Sequence, residues 1–128
     1  MVNQFAFVLI DDSDLDIFIN EKFLSLSGLA SSIRSFTNAE SALAYFSNNP
    51  KNETETIVLL DLQLAGMSGF DFLDAFCTLD ESLRKNIRIF MLSSTADTSD
   101  FERVIAHPCL EALLPKPLDI EKLKPLLV

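Results

Sequence analysis

Thr56-Ile57-Val58-Leu59-Leu60-Asp61-Leu62-Gln63-Leu64-Ala65-Gly66-Met67-Ser68-Gly69 is an apolar run that ends abruptly on one carboxylate and then turns through two glycines. The run, Ile57 to Leu60, reads as a strand covered on both faces. Such a strand has no packing use for an aspartate at its last position. Asp61 is therefore expected at the mouth of a cleft, as a nucleophile rather than a structural residue.

Upstream, Phe5 to Ile10 is a second continuous apolar run, closed by Asp11-Asp12-Ser13-Asp14. From Leu15 the pattern turns helical, with Leu15, Ile19, Phe23 and Leu26 as the apolar side and Gly28 as the stop. Ser13 with Asp16 resembles a capping box. Ile33 to Phe36 is a short strand, and Asn38 is a cap for a helix carrying Ala42, Leu43 and Phe46. Downstream of Gly66, Ser68 caps a helix with Phe70, Leu73, Ala75 and Phe76. A charged connection, Asp80 to Asn86, leads to a fourth strand, Ile87 to Leu92. A fourth helix is expected over 98–106, then a short fifth strand from Leu110 to Leu114 and a last helix from Leu118 to Leu127. Pro115 suits an edge strand better than a central one.

Alternating strands and helices imply an α/β fold, a parallel sheet with helices on both faces. In such sheets ligands bind beyond the carboxyl ends of the strands. Asp11 and Asp12 follow the first strand, Asp61 ends the third, Ser93 follows the fourth and Lys116 the fifth. That convergence is the functional signal.

The bulk properties narrow the classes. At 128 residues one domain over 1–128 is expected, with no residues left for an output domain. The net charge of −9 argues against nucleic acid and against an anionic membrane surface, and fits a divalent cation or a basic partner. The N-terminal apolar run is too short for a signal peptide or a membrane span, so a soluble, cytoplasmic protein is expected. Cys77 and Cys109 lack the spacing of a zinc ribbon or redox motif and are read as two buried, reduced thiols. His107, beside Pro108, has no second ligand near it in sequence and is read as a surface histidine at a helix end.

If the first and third strands are neighbours, Asp11, Asp12 and Asp61 crowd together. Like charges that close require a proton or a cation. An oxygen-only donor set suits Mg²⁺. The plain alternative is that Asp11 and Asp12 only cap the first helix. A phosphoryl group on Asp61 would need compensation beyond the metal, and the Ser93 hydroxyl and the Lys116 ammonium are the natural suppliers. Alone, either would be an ordinary surface residue. Lys116-Pro117 is an X-Pro bond of the kind that can be cis.

Taken together, Val8-Leu-Ile-Asp11-Asp12, Leu59-Leu-Asp61-Leu-Gln-Leu-Ala-Gly66-Met-Ser-Gly69-Phe-Asp-Phe-Leu73, Met91-Leu-Ser93-Ser and Lys116-Pro117 resemble the response-regulator receiver domain of two-component signalling. The likeness covers nearly the whole chain. It implies a flavodoxin-like, doubly wound five-stranded sheet in the order 2-1-3-4-5. It also implies phosphoryl transfer from a histidine kinase or histidine phosphotransfer protein to Asp61. Mg²⁺ would be held by Asp12, Asp61 and the backbone carbonyl of Gln63, with Asp11 acting through water. Ser93 would be the switch hydroxyl and Lys116 the partner of the phosphoryl group. Such a protein has no conventional substrate and catalyses its own phosphorylation and dephosphorylation. A downstream protein would dock on the fourth helix, fifth strand and fifth helix, around Phe101 to Ile105 and Leu118 to Leu127. Two departures stand out: Ala65 where the family usually has Pro, and Leu113 where many members carry Tyr or Phe. The competing readings are a Mg²⁺-dependent phosphohydrolase with an aspartate nucleophile, starting from Asp12-Ser-Asp14, and a receiver that binds without being phosphorylated.

Overall fold

A computed structural model describes residues 4–48, 54–94, 102 and 105–127. Five parallel strands form one sheet in the order β2-β1-β3-β4-β5, as expected. They are β1 (Phe5–Ile10), β2 (Ala30–Phe36), β3 (Thr56–Asp61), β4 (Ile87–Ser93) and β5 (Leu110–Pro115). The described helices are α1 (Asp14–Ser27), α2 (Ala39–Asn48), α3 (Gly69–Cys77), a single turn α4 (Glu81–Arg84) and α5 (Ile120–Leu127). Most of the helix expected over 98–106 lies outside the described residues, including Phe101 and Val104.

The sheet divides the core by residue parity, because successive strand side chains point to opposite faces. Val58 and Leu60, with Val8, Ile10, Ile89 and Met91, pack against α2 and α3 through Phe46, Phe72 and Phe76. Ile57 and Leu59, with Phe7, Leu9, Phe90 and Leu92, pack against α1 and α5 through Ile17, Leu24 and Leu123. β3 is buried along its whole length. That is why its sequence is an unbroken apolar run and why it decides the fold. β2 is different: as an edge strand with an exposed face it starts on Ala30-Ser31-Ser32, earlier than its apolar stretch suggests.

Caps follow local chemistry. Ser68 and Asp71 form a complete capping box at the start of α3. The Ser13 hydroxyl accepts from the Asp16 amide, and Asn38 Oδ1 accepts from Ser41 N. Gly28 ends α1 with φ 77°, the left-handed conformation that glycine adopts at no steric cost. The charged connection Asp80 to Asn86 contains the turn α4, which its short length concealed.

α1 corrects one expectation. Its buried residues are Ile17, Asn20 and Leu24. The stripe read as its core face is instead open to solvent: Leu26 is 85% exposed, and Leu15, Ile19 and Phe23 are also exposed. Apolar residues populate both sides of α1, and tertiary fit rather than periodicity selects the side that is covered.

Candidate functional site

The pairings Ile10 with Leu60, and Asp61 with Leu92, bring the carboxyl ends of β1, β3 and β4 level. The backbone then extends the ladder past the strands, with Asp11 N bonded to Phe36 O, Leu62 N to Leu92 O, and Lys116 N to Ser93 O. The polar residues at these strand ends therefore share one rim. Oxygen atoms of Asp11, Asp12 and Asp61 accordingly lie within 4.8 Å of one another. Asp11, Asp61 and Ser93 are buried, at 4%, 6% and 5% exposure, whereas Asp12 is exposed.

Lys116 reaches into this cluster. Its Nζ lies 3.2 Å from Asp61 Oδ2, 3.4 Å from Asp11 Oδ2 and 3.3 Å from Asp16 Oδ2. Burial lowers the affinity of the Lys116 amine for its proton, but the charges of Asp61 and Asp11, with the hydrogen bonds that Lys116 donates to Asp61 and Asp16, outweigh it and hold its pKa above the usual lysine value. For Asp11, burial is the main cause of a raised pKa. The nearby Asp61 charge adds to it, against the Ser13 amide and the Lys116 ammonium. The Lys116–Pro117 peptide bond is cis.

The loop after Asp61 is held by carboxylates that accept its amides. Gln63 N donates to Asp61 Oδ1 at 3.1 Å, Ala65 N to Asp12 Oδ2 at 3.2 Å, and Met67 N to Glu40 Oε1 at 3.2 Å. The Ala65 bond explains one departure from the family pattern in physical terms: proline there would have no N–H to give to Asp12. Gly69 permits the close return of the chain, since a Cβ at that position would stand 2.6 Å from Asp61 O and 3.1 Å from Leu62 Cα. Leu113 sits beside Met91 in the sheet and packs, half-buried, against the cluster under α2 and α3.

The structure thus gathers Asp11, Asp12, Asp61 and Lys116 at one rim. It places Ser93 at the end of β4 beside Pro115, and brings Gln63 to Asp61 through its amide. Two members of the site escaped the sequence. Asp16 was read only as a capping residue, and its carboxylate instead pairs with Lys116; Glu40 gave no signal at all, because its contact depends on where α2 starts relative to the loop.

Two other expectations fail at the opposite end of the sheet. Cys77 and Cys109 are joined as a disulfide, their Cα atoms 6.0 Å apart, rather than held as free thiols. Their separation of 32 residues hid the fact that the end of α3 and the start of β5 meet. The His107 side chain is only 7% exposed, not on the surface.

Comparison with known proteins agrees with the geometry. The response regulator receiver domain family model matches residues 7–127. A response regulator receiver protein from Dyadobacter fermentans is 42% identical, with a TM-score of 0.89, covering 96% of this chain and 94% of that one. A two-component response regulator from Cytophaga hutchinsonii is 22% identical, with a TM-score of 0.86 and coverage of 98% and 95%. A response regulator from Burkholderia pseudomallei, solved with a phosphorylated aspartic acid, a calcium ion and citrate, is 23% identical, with a TM-score of 0.75 and coverage of 98% and 67%. Among curated proteins none matches. The chain belongs to the response-regulator receiver family. That membership supports a part in two-component phosphorelay signalling. No helix among the described residues is long and apolar enough to cross a membrane.

Proposed function

We propose that this chain is a phosphorylatable switch, receiving a phosphoryl group on Asp61 from the phosphohistidine of a histidine kinase or histidine phosphotransfer protein. The observation that carries the reading is the rim itself: Asp61 at the end of β3, Asp11 and Asp12 within 4.8 Å, and the Lys116 ammonium 3.2 Å from the acceptor. The all-oxygen donor set fits Mg²⁺. Asp12, Asp61 and the Gln63 carbonyl would hold the ion, with Asp11 through water. When bound, it would neutralise charge between Asp61 and the incoming group. The B. pseudomallei relative, which carries both a phosphorylated aspartate and a divalent cation, is consistent with that chemistry.

The remaining work falls to the chain's own residues. An Asp61 carboxylate oxygen attacks phosphorus as the phosphorus–nitrogen bond of the donor breaks, and the donor imidazole leaves with the electron pair. Lys116, already paired with Asp61, follows the negative charge onto the phosphoryl oxygens. Ser93 supplies a hydroxyl at the end of the neighbouring strand. The Gln63 amide holds Asp61 Oδ1 and orients the carboxylate. The exposed stripe of α1 adjoins this cleft: Ile19 and Phe23 share a concavity with Lys116 and Pro117. It is the surface a protein phosphodonor would cover. Phosphorylation then shifts the chain between two conformations that a downstream protein distinguishes, through the region 98–106, β5 and α5. In this reading the protein is cytoplasmic.

Acetyl phosphate with Mg²⁺ tests it. An acid-stable, base-labile phosphoryl adduct is expected on the wild type and absent from Asp61→Asn. A wild type that takes up no phosphate, or an Asp61→Asn chain that labels fully, overturns the reading.

A further inference from the structure

The corner beyond the amino ends of the strands holds a second, chemically different cluster. Cys77 is the last residue of α3, and Cys109 immediately precedes β5. His107 stands two residues before Cys109, and the ligand atoms of Cys77, His107 and Cys109 all lie within 4.8 Å of one another. Each of the three residues is partly exposed, although the His107 side chain itself is covered.

The histidine is oriented. Its Nδ1 accepts a hydrogen bond from Cys109 N at 3.2 Å, which assigns the ring proton to Nε2. Nε2 in turn faces Asp74 Oδ1 at 2.8 Å. Asp74 lies three residues before Cys77 on α3 and so shares its face. The Phe70 ring packs edge-on against the imidazole, with centroids 5.6 Å apart. Arg84 Nη1 lies 3.9 Å from Cys109 Sγ, an ionic partner for that sulfur as a thiolate. Two sulfurs and one imidazole nitrogen therefore converge on one side, with a carboxylate fixing the ring from the other. This is the donor set and supporting shell that soft divalent cations take in proteins.

We propose that the Cys77–Cys109 pair is reversible, and that its reduced form is a Zn²⁺ site made of Cys77 Sγ, Cys109 Sγ and His107 Nδ1, with Asp74 as positioning residue. A dithiol reductant delivers two electrons and two protons to the disulfide, giving two thiols and its own disulfide. Zn²⁺ then displaces both thiol protons to solvent. Water completes four-coordination. Tetrahedral Zn²⁺ places such ligand atoms roughly 3.5–3.8 Å apart, so the cluster has to open at the sulfur–sulfur bond and His107 Nδ1 has to exchange the Cys109 amide for the ion. A disulfide oxidant reverses the exchange: it takes up the two electrons and two protons from solvent to become a dithiol, the Cys77–Cys109 bond re-forms, and the ion is released. The two states are mutually exclusive, and both clasp the end of α3 to the segment entering β5.

The test uses the full chain, reduced and desalted under anaerobic conditions, with excess Mg²⁺ to occupy the carboxylate rim. Zn²⁺ is titrated against a chromophoric chelator, and Co²⁺ is added separately to read thiolate-to-metal charge-transfer absorption. One Zn²⁺ per reduced chain is expected, none after oxidation, and a Co²⁺ spectrum carrying the thiolate band. Asp74→Asn should weaken Zn²⁺ binding by about 10- to 100-fold while keeping the band. Asp61→Asn should bind Zn²⁺ as the wild type does, so this result stands apart from the phosphorylation reading. Absence of stoichiometric binding by the reduced wild type overturns the proposal. So does equal binding by the oxidised chain, or a Co²⁺ complex without the thiolate band, none of which depends on a variant folding.

Discussion

The two ends of the sheet are built from opposite kinds of atom. At the carboxyl end, oxygen donors from Asp11, Asp12 and Asp61 converge, and the Lys116 ammonium pairs with two of them. At the amino end, two sulfurs and an imidazole are gathered, with the Asp74 carboxylate on the ring's other nitrogen. Hard cations and phosphoryl oxygens suit the first, soft cations and electron transfer the second. The origin of each corner differs as well. Parallel topology forces the carboxyl ends of β1, β3, β4 and β5 together, so that site is a product of the fold. The other depends on where one helix happens to stop and one strand happens to begin.

The contrast can be broken most forcefully at Lys116. Lys116→Met is expected to slow phosphoryl uptake from acetyl phosphate by roughly 100- to 1,000-fold, the scale of losing a preorganised charge at a developing anion. Zn²⁺ binding by the reduced chain should be unchanged. Time courses of the adduct check the first statement, and a fall of less than tenfold would show that Lys116 does not serve the phosphoryl group.

A smaller effect is expected at Gly69. The added methyl of Gly69→Ala would overlap Asp61 O and the Leu62 backbone, neither of which is the end of a flexible side chain. Urea unfolding should show a loss of about 1–3 kcal/mol, typical of overpacking. An unchanged midpoint would mean that the loop after Asp61 can move aside.

The smallest effect sharpens the electrostatic difference between the corners. Because the folded pKa of Asp11 is raised above 3.8, the folded chain binds this proton more tightly than the unfolded chain. The resulting stabilisation is fully present below pH 3.8 and is lost as pH rises through the folded value. At neutral pH, without divalent cations, the ionised carboxylate is therefore a liability. Asp11→Asn should be more stable than the wild type at pH 7 in chelator, with the gap closing in acid. Thermal unfolding across pH measures it, and a variant less stable at pH 7 would reverse the sign assigned to Asp11.

The same contrast explains what could be read from residues alone. β1 and β3 are covered on both faces, so their apolar runs mark their limits; Asp61 stands out because it interrupts one. The carboxylate rim was legible because each member follows a strand end. The Cys77–His107–Cys109 corner carried no such mark, since 32 residues of chain separate its sulfurs. Asp16 and Glu40 were hidden for a related reason: each acts across the fold on a partner that spacing cannot identify. α1 misled because its more regular apolar stripe is the one that faces water.

α3 runs from one corner to the other. Its first residue has no side chain and lies against the backbone of Asp61, and its last is bonded to the residue that enters β5. Nine residues of helix make a strut roughly 13 Å long, with a tight bearing at one end and a clamp at the other. The strut has no free end. A shift of the loop at its head must therefore be accommodated by the loop itself or by bending of the helix, since the foot is tied to the segment entering β5.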